Sequence, residues 1–131
     1  MAKILLDTSI VVDYLRRKDK YKTILYQLIN DESKHQLFIS IITHTECYAG
    51  KSIWESEYAK KVLELFLSGF KILTLEEKIS EKTGEIKARY NTSIPDSIIA
   101  ATAIHHKLEL ATLNIKDFES IKGIKLFQAE F

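Results

Sequence analysis

Apolar and polar positions divide the chain into short apolar runs separated by longer segments with helical periodicity. Four runs are typical of strands buried on both faces, at residues 3–6, 37–42, 71–75 and 109–113, with a candidate fifth at 124–127. Apolar residues recur at helical spacing in segments 10–15, 21–29, 57–66, 77–90 and 95–107. This alternation predicts an α/β fold, a three-layer α/β/α sandwich around a central parallel sheet of four to five strands.

Capping chemistry predicts where several of these helices begin. Thr8 and Ser9 offer hydroxyls that can cap the helix after the first strand. A second helix is predicted to start at Thr45 and to be interrupted near Gly50. Pro95, the only proline, fits the first turn of a helix that runs to about residue 107, where a missing N–H does no harm.

Length and composition place the chain among ordinary globular proteins. Its 131 residues predict a single domain spanning 1–131, with 46% hydrophobic and 28% charged residues. The single cysteine excludes an internal disulfide, and no apolar run approaches the roughly 18 residues of a membrane span. These features predict a cytoplasmic protein. The net charge of +1 means that a nucleic-acid partner would need a local basic patch, such as residues 16–22.

Four acidic residues adjoin apolar runs, where a carboxylate is least expected. They are Asp7, Glu46, Asp96 and Asp117. The chain has only 6 Asp among its 18 acidic residues, so three Asp at such junctions are informative. In parallel α/β sheets the ligand site lies beyond the carboxyl ends of the strands, so the topology would bring these acids to one edge. Carboxylates gathered there repel each other unless a cation lies among them. The pattern therefore indicates a divalent-metal site, and a nuclease.

Several other kinds of site find no support. The four glycines form neither of the glycine-rich phosphate-binding loops. Ser9 stands where a phosphotransferase with an Asp nucleophile would carry a second Asp. His44, His105 and His106 have no partners at metal-ligand spacing, and no motif supports Cys47 as a nucleophile.

The acidic residues lie in segments that resemble the PIN domain family, and within it the VapC-type toxin ribonucleases of type II toxin–antitoxin systems. The matching segments are Ile4 to Ser9 with Tyr14-Leu15, Ser40 to Glu46, Pro95 to Ala103, and Ala111 to Asn114 with Asp117-Phe118. Together they span nearly the whole chain in the family's order, and the combination is more specific than any one segment.

This resemblance implies a metal-dependent endoribonuclease that hydrolyses phosphodiester bonds in RNA through metal-activated water. Asp7, Glu46 and Asp96 match the family's acidic ligands for Mg²⁺ or Mn²⁺. Asp117 is the favoured fourth acid, with Asn114 as a polar member of the site. The hydroxyls of Thr8 and Thr112 are expected to orient the carboxylates.

The resemblance also implies partners. They are an RNA substrate, with tRNA among the candidates, a cognate antitoxin protein and a second copy of the chain. The apolar helices around residues 53–66 are a candidate homodimer surface. Contacts to RNA are expected among four cationic side chains, Arg16, Arg17, Lys18 and Arg89. The alternative is a catalytically silent PIN-like scaffold that binds RNA or protein.

Overall fold

The computed structural model describes residues 1–128, and a parallel sheet in the strand order β3-β2-β1-β4 organises them. The strands are β1 (Lys3–Leu6), β2 (Gln36–Ser40), β3 (Lys71–Leu73) and β4 (Glu109–Ala111). The helices are α1 (Thr8–Arg16), α2 (Ile24–Ile29), α3 (Ile41–Tyr48), α4 (Lys51–Glu55), α5 (Glu57–Leu67), α6 (Glu77–Tyr90), α7 (Ile94–His105) and α8 (Ile115–Phe118), with a 3₁₀ turn at Lys20–Lys22. The predicted α/β fold with a four-stranded parallel sheet is confirmed.

Both faces of the sheet are buried, as the continuous apolar strands require. Side chains alternate along β1, so Ile4 and Leu6 face one helical layer while Leu5 faces the other. The first layer includes buried residues of α1, α2 and α5, and the second includes buried residues of α6, α7 and α8. In register, Leu5 pairs with Phe38 on one side and with Leu110 on the other. This central position of β1 places Asp7, the next residue, at the middle of the sheet's carboxyl edge.

The second strand is shorter than predicted, because a helix replaces its end. The apolar pair Ile41-Ile42 begins α3, where the Ser40 hydroxyl caps the helix by accepting from the backbone N–H of Ile42. The expected helix start at Thr45 was therefore wrong by four residues. Glu46 consequently lies in the second turn of α3. The predicted interruption near Gly50 is confirmed, since α4 starts after it.

The expected capping of the first helix by Thr8 and Ser9 was also wrong. Asp7 occupies the cap position of α1, with no side-chain cap hydrogen bond, and the two hydroxyls bind carboxylates instead. The strands predicted to end at residues 75 and 113 end at Leu73 and Ala111. The candidate fifth strand at 124–127 is a single parallel bridge between Leu126 and Leu110.

The helices predicted at 77–90 and 95–107 are confirmed as α6 and α7, with Pro95 in the first turn of α7. Asn91 ends α6 in the left-handed conformation, at φ 54°. The assignment of 1–131 to one domain stays a prediction, since residues 129–131 lie outside the described part.

Helices α4 and α5, in the first helical layer, expose several large apolar side chains. Leu63 and Leu67 are the buried residues of α5. Trp54, Tyr58 and Leu65 are 62%, 70% and 77% exposed. Large apolar side chains exposed together mark interaction surfaces more often than isolated ones do. Across residues 1–128, no helix combines the length and apolarity that crossing a membrane requires.

Candidate acidic site at the carboxyl edge of the sheet

Asp7 is the most deeply buried carboxylate described, at 3% exposure. Its backbone N–H donates to the carbonyl of Ala111 at 2.9 Å, which extends the β1–β4 pairing by one residue. Its Oδ2 atom accepts two hydroxyl hydrogen bonds, from Ser9 and from Thr112, both at 2.7 Å. A buried carboxylate needs such donors in place of water. The two hydroxyls therefore fix the orientation of the Asp7 side chain.

The turn after β4 locks both hydroxyls in place. The Ser9 hydroxyl accepts from the backbone N–H of Leu113 at 3.1 Å, and the Thr112 hydroxyl accepts from that of Asn114 at 2.9 Å. Because each hydroxyl has one proton, these contacts direct both protons toward Asp7. Residues more than 100 positions apart thus hold one carboxylate.

The side chain of Glu46 is oriented by a hydrogen bond from Thr8, the first residue of α1. The hydroxyl of Thr8 donates to Glu46 Oε1 at 2.8 Å and lies 2.8 Å from the hydroxyl of buried Thr43. Since the single proton of Thr8 is used on Glu46, Thr43 is the donor in the second contact. Thr8 therefore links the starts of α1 and α3, and orients an otherwise exposed carboxylate.

Asp96 lies in the first turn of α7, where the helix dipole favours negative charge. Its backbone N–H donates to the hydroxyl of Ser93, which caps the helix, at 3.2 Å. The neighbouring hydroxyls of Thr92 and Ser97 are also hydrogen bonded, and Ser97 is fully buried. The connection between α6 and α7 is thereby fixed against the start of α7.

Electrostatics connect the four acids. Burial raises the pKa of Asp96, and the negative charge of Asp7 raises it further. The Ser93 side chain lowers the pKa of Asp96, while the charges of Asp117 and Glu46 add smaller upward effects. Each of the other three acids therefore lies close enough to disfavour a charge on Asp96. The sheet's carboxyl edge collects the acids that the sequence predicted there.

Asp117 and Asn114 differ in what they contribute. Asp117 is exposed in α8 and acts on Asp96 through its charge. The side chain of Asn114 makes no cap hydrogen bond, and its backbone N–H supports Thr112. Asp117 thus contributes a negative charge to this edge of the sheet, and Asn114 contributes a backbone N–H that donates to Thr112.

The donor set fits a hard divalent cation by its chemistry. The acids supply carboxylate oxygens, the ligands that Mg²⁺ and Mn²⁺ prefer. Their mutual repulsion would be relieved by a cation between them. Within residues 1–128, however, no three or more acidic, histidine or cysteine side chains form a group arranged to hold a metal ion. The carboxylates would have to approach each other to share one.

The basic segment predicted to contact RNA lies at the far end of α1. Arg16 is eight residues after Thr8, about 12 Å along the helix axis. Arg17 pairs with Asp13 at 3.2 Å. Arg16 and Lys18 are both exposed. Lys20, in the same segment, donates to three backbone carbonyls at the end of α1 and so stabilises the helix terminus. Arg89 lies elsewhere, in the last turn of α6.

Three supporting residues were missed by sequence reasoning. Ser93 had a signal, because Ser-Ile-Pro-Asp has the spacing of a helix-capping sequence. Thr43 lies one helical turn before Glu46, but only the position of Thr8 reveals its role. The sequence predicts Ser9 as a helix cap, and its contact with Asp7 depends on strand pairing that local sequence does not encode.

Within residues 1–128, the side chains of Cys47 and His44 make no hydrogen bond to the four acids. Burial raises the pKa of the Cys47 thiol to about 11, with a smaller effect from Glu46. The thiol is therefore neutral and behaves as a small core residue. The ring of His44 lies 4.8 Å from that of Tyr48.

Comparisons with known proteins agree on one family. The model of the PIN domain matches residues 4–124. The chain is 34% identical to Ribonuclease VapC19 of Mycobacterium tuberculosis over 119 residues, covering 87% of this chain and 90% of the relative. It is 28% identical to the tRNA(fMet)-specific endonuclease VapC of Salmonella typhimurium over 132 residues, covering 96% and 97%.

Two solved structures resemble the whole fold. One is a toxin-antitoxin complex from Klebsiella pneumoniae, with a TM-score of 0.73, 31% identity and coverage of 93% of this chain and 95% of that one. The other is DNA-bound VapBC from Salmonella typhimurium, with a TM-score of 0.80, 26% identity and coverage of 97% and 98%. The similarity extends over almost all of each chain.

Proposed function

The chain belongs to the PIN domain family, and on that premise we propose that it is an endoribonuclease toxin of a toxin–antitoxin pair. Relatives that it matches along most of their length are named as a ribonuclease and as a tRNA-specific endonuclease. The observation that carries the proposal is the buried Asp7 carboxylate, held by two hydroxyls beside a second carboxylate whose pKa it raises.

The proposed metal ligands are four carboxylates, Asp7, Glu46, Asp96 and Asp117, with Mg²⁺ or Mn²⁺ as the cation. When bound, such a cation supplies Lewis acidity toward water and phosphate oxygens. The chain's own residues orient the carboxylates: Ser9 and Thr112 act on Asp7, and Thr8 acts on Glu46. Supporting hydrogen bonds of this kind hold metal ligands in productive orientations.

Asp117 is proposed as the fourth acid in preference to Asn114. Its negative charge raises the pKa of Asp96, which supports its closeness to the other acids. Asn114 would contribute an uncharged oxygen, which would neutralise none of the charge of a bound cation. Its proposed role is to hold Thr112 through the backbone.

The proposed partners are an RNA substrate, a cognate antitoxin and a second copy of the chain. The structures that it resembles include toxin–antitoxin complexes. The exposed apolar residues of α4 and α5 support an interface with another protein. A cytoplasmic location is part of the proposal, because cellular RNA is the substrate.

The test is cleavage of an RNA panel that contains initiator tRNA, other tRNAs and single-stranded oligonucleotides. Reactions contain Mg²⁺, Mn²⁺ or EDTA, and the Asp96→Asn variant is purified in parallel. We expect cleavage that requires metal and disappears in the variant. Cleavage that persists in EDTA and in the variant would assign the activity to a contaminant. Neither cleavage nor metal binding by calorimetry would favour the scaffold alternative.

A further inference from the structure

A cleft of about 480 Å³ runs along α6, outside the acidic site. Its lining includes Lys82, Glu85, Arg89, Tyr90 and Lys122. Three cationic side chains therefore face one carboxylate, a local excess of positive charge in a chain whose net charge is only +1. Such an excess favours an anionic ligand.

One carboxylate organises two of these cations. Glu85 Oε1 accepts from Lys82 Nζ at 2.9 Å, and Glu85 Oε2 accepts from Arg89 Nε at 3.2 Å. The hydrogen bond from Lys82 is the main reason that the pKa of Glu85 is lowered, and Arg89 lowers it further. The bond to Glu85 uses one of the five N–H donors of Arg89 and one of the three of Lys82. The remaining donors are held on one face of α6.

The opposite wall of the cleft is a fixed turn. The backbone N–H of Lys122 donates to the hydroxyl of Tyr90 at 3.0 Å. Gly123 follows with φ +95°, a conformation that L side chains rarely adopt. The backbone position of Lys122 is therefore set against the last turn of α6, which also carries Arg89.

The cleft is connected to the acidic site by a short, bonded segment. Arg89 and Tyr90 end α6, and only residues 91–93 separate them from α7, which carries Asp96 in its first turn. Thr92 bonds to Ser97, and Ser93 caps the helix at Asp96. The cationic end of the cleft and one proposed metal ligand are thus joined by a short, hydrogen-bonded connection.

We propose that Lys82, Arg89 and Lys122 bind a backbone phosphate of the RNA at a position outside the one that is cleaved. The inference rests on the proposed ribonuclease function. It adds a contact with the RNA substrate at a distance from the acidic site. Arginine and lysine are the usual phosphate donors, and the contact would not depend on base sequence. This contact would also help to hold RNA, which is negatively charged, close to an edge of the sheet that is rich in carboxylates.

The test measures RNA binding in the Asp96→Asn background, where the bound probe is not cut. A fluorescein-labelled single-stranded RNA is titrated by anisotropy at several salt concentrations. The altered chain carries Arg89→Gln with Lys122→Gln, and the control carries Lys51→Gln with Lys61→Gln, which removes the same charge from α4 and α5. Thermal melts check that both fold.

We expect the cleft variant to bind about tenfold more weakly. The slope of log affinity against log salt should fall by about 0.7 for each phosphate no longer contacted. In the otherwise unaltered chain the same two substitutions should raise KM for RNA and leave kcat nearly unchanged, as expected for a contact made equally before and during reaction. Glu85→Gln should tighten binding more than Glu55→Gln, which removes the same charge on α4.

Equal affinity and equal salt slope in the cleft and control variants would overturn the inference. If the cleft variant lost affinity for polyglutamate but not for RNA, the inference would also be overturned, and the cleft would be assigned to binding an acidic protein. The two proposals fail separately. An unaltered chain that never cleaves RNA contradicts the ribonuclease, whereas cleavage with an unchanged KM and salt slope contradicts only the cleft.

Discussion

At the scale of single residues, Asp7 shows why hydroxyl side chains surround this site. The residue is 3% exposed, and its carboxylate accepts two hydroxyl hydrogen bonds through one oxygen. A buried charge without such donors would cost several kcal/mol. The hydroxyls of Ser9 and Thr112 therefore help to stabilise the buried carboxylate of Asp7 directly after β1.

Replacing Thr112 by Val keeps the shape of the side chain and removes its hydroxyl. Asp7 would lose one donor, and the backbone N–H of Asn114 would lose its acceptor. We expect unfolding free energy to fall by about 1–3 kcal/mol, and metal-dependent cleavage to fall by about 10- to 100-fold. Urea titration and initial rates measure the two effects. Thr112→Ser, which keeps the hydroxyl, is the control, and a Val variant as active as the Ser variant would contradict the assigned role.

Asp96→Asn should abolish cleavage and leave the fold as stable or more stable in EDTA. Burial and the charges of Asp7, Asp117 and Glu46 raise the pKa of Asp96, so its ionised form opposes folding. That opposition is fully present above the raised pKa and disappears once the pH falls below the ordinary carboxyl value. The melting temperature of the variant should therefore exceed that of the unaltered chain at pH 7 and converge with it in acid. A variant less stable at pH 7 would show that the carboxylate makes favourable contacts in the fold.

At the scale of elements, local chemistry predicted helices better than strand ends. The bounds of α6 and α7 were predictable because Pro95 starts one helix and polar residues separate the two. The sequence predicts Ile41 and Ile42 in β2 because they continue its apolar run, but the Ser40 cap begins a helix there.

The features of the candidate site also divide into those that local sequence predicts and those that it does not. Asp7, Glu46 and Asp96 could be predicted, because each adjoins an element with a clear apolar pattern. The pairing of Ser9 with Thr112 could not, because 103 residues separate them and only the β1–β4 pairing brings them together. Long-range hydrogen bonds of this kind follow from topology.

Helix α6 offers a test of backbone conformation at Gly84. A Cβ added there meets no atom within 4 Å, and the residue lies inside a helix. Gly84→Ala should therefore raise the unfolding free energy by about 1 kcal/mol. Gly123→Ala is the paired variant, and its φ of +95° predicts a loss of about 1–3 kcal/mol. Urea titration measures both, and a destabilising Gly84→Ala would contradict the open surroundings of that position.

At the scale of the whole molecule, the small net charge conceals two separate regions of opposite sign. Carboxylates gather at the carboxyl edge of the sheet, while cations line the cleft along α6. If a divalent cation occupies the first region, it binds the folded chain and stabilises it. The stability gained is RT ln(1 + [metal]/Kd), about 2.7 kcal/mol at a metal concentration of 100 times Kd.

The melting temperature of the chain should therefore rise by several degrees when Mn²⁺ or Mg²⁺ replaces EDTA, at about 4 °C per kcal/mol for a chain of this size. Asp7→Asn should abolish the rise, because the best-oriented carboxylate of the edge is lost. Asp13→Asn is the matched control: it removes an acid of α1 that pairs with Arg17, and it should keep the full rise. Differential scanning fluorimetry at matched ionic strength separates specific binding from screening. An equal rise in both variants would place the cation elsewhere on the protein and contradict the acidic site.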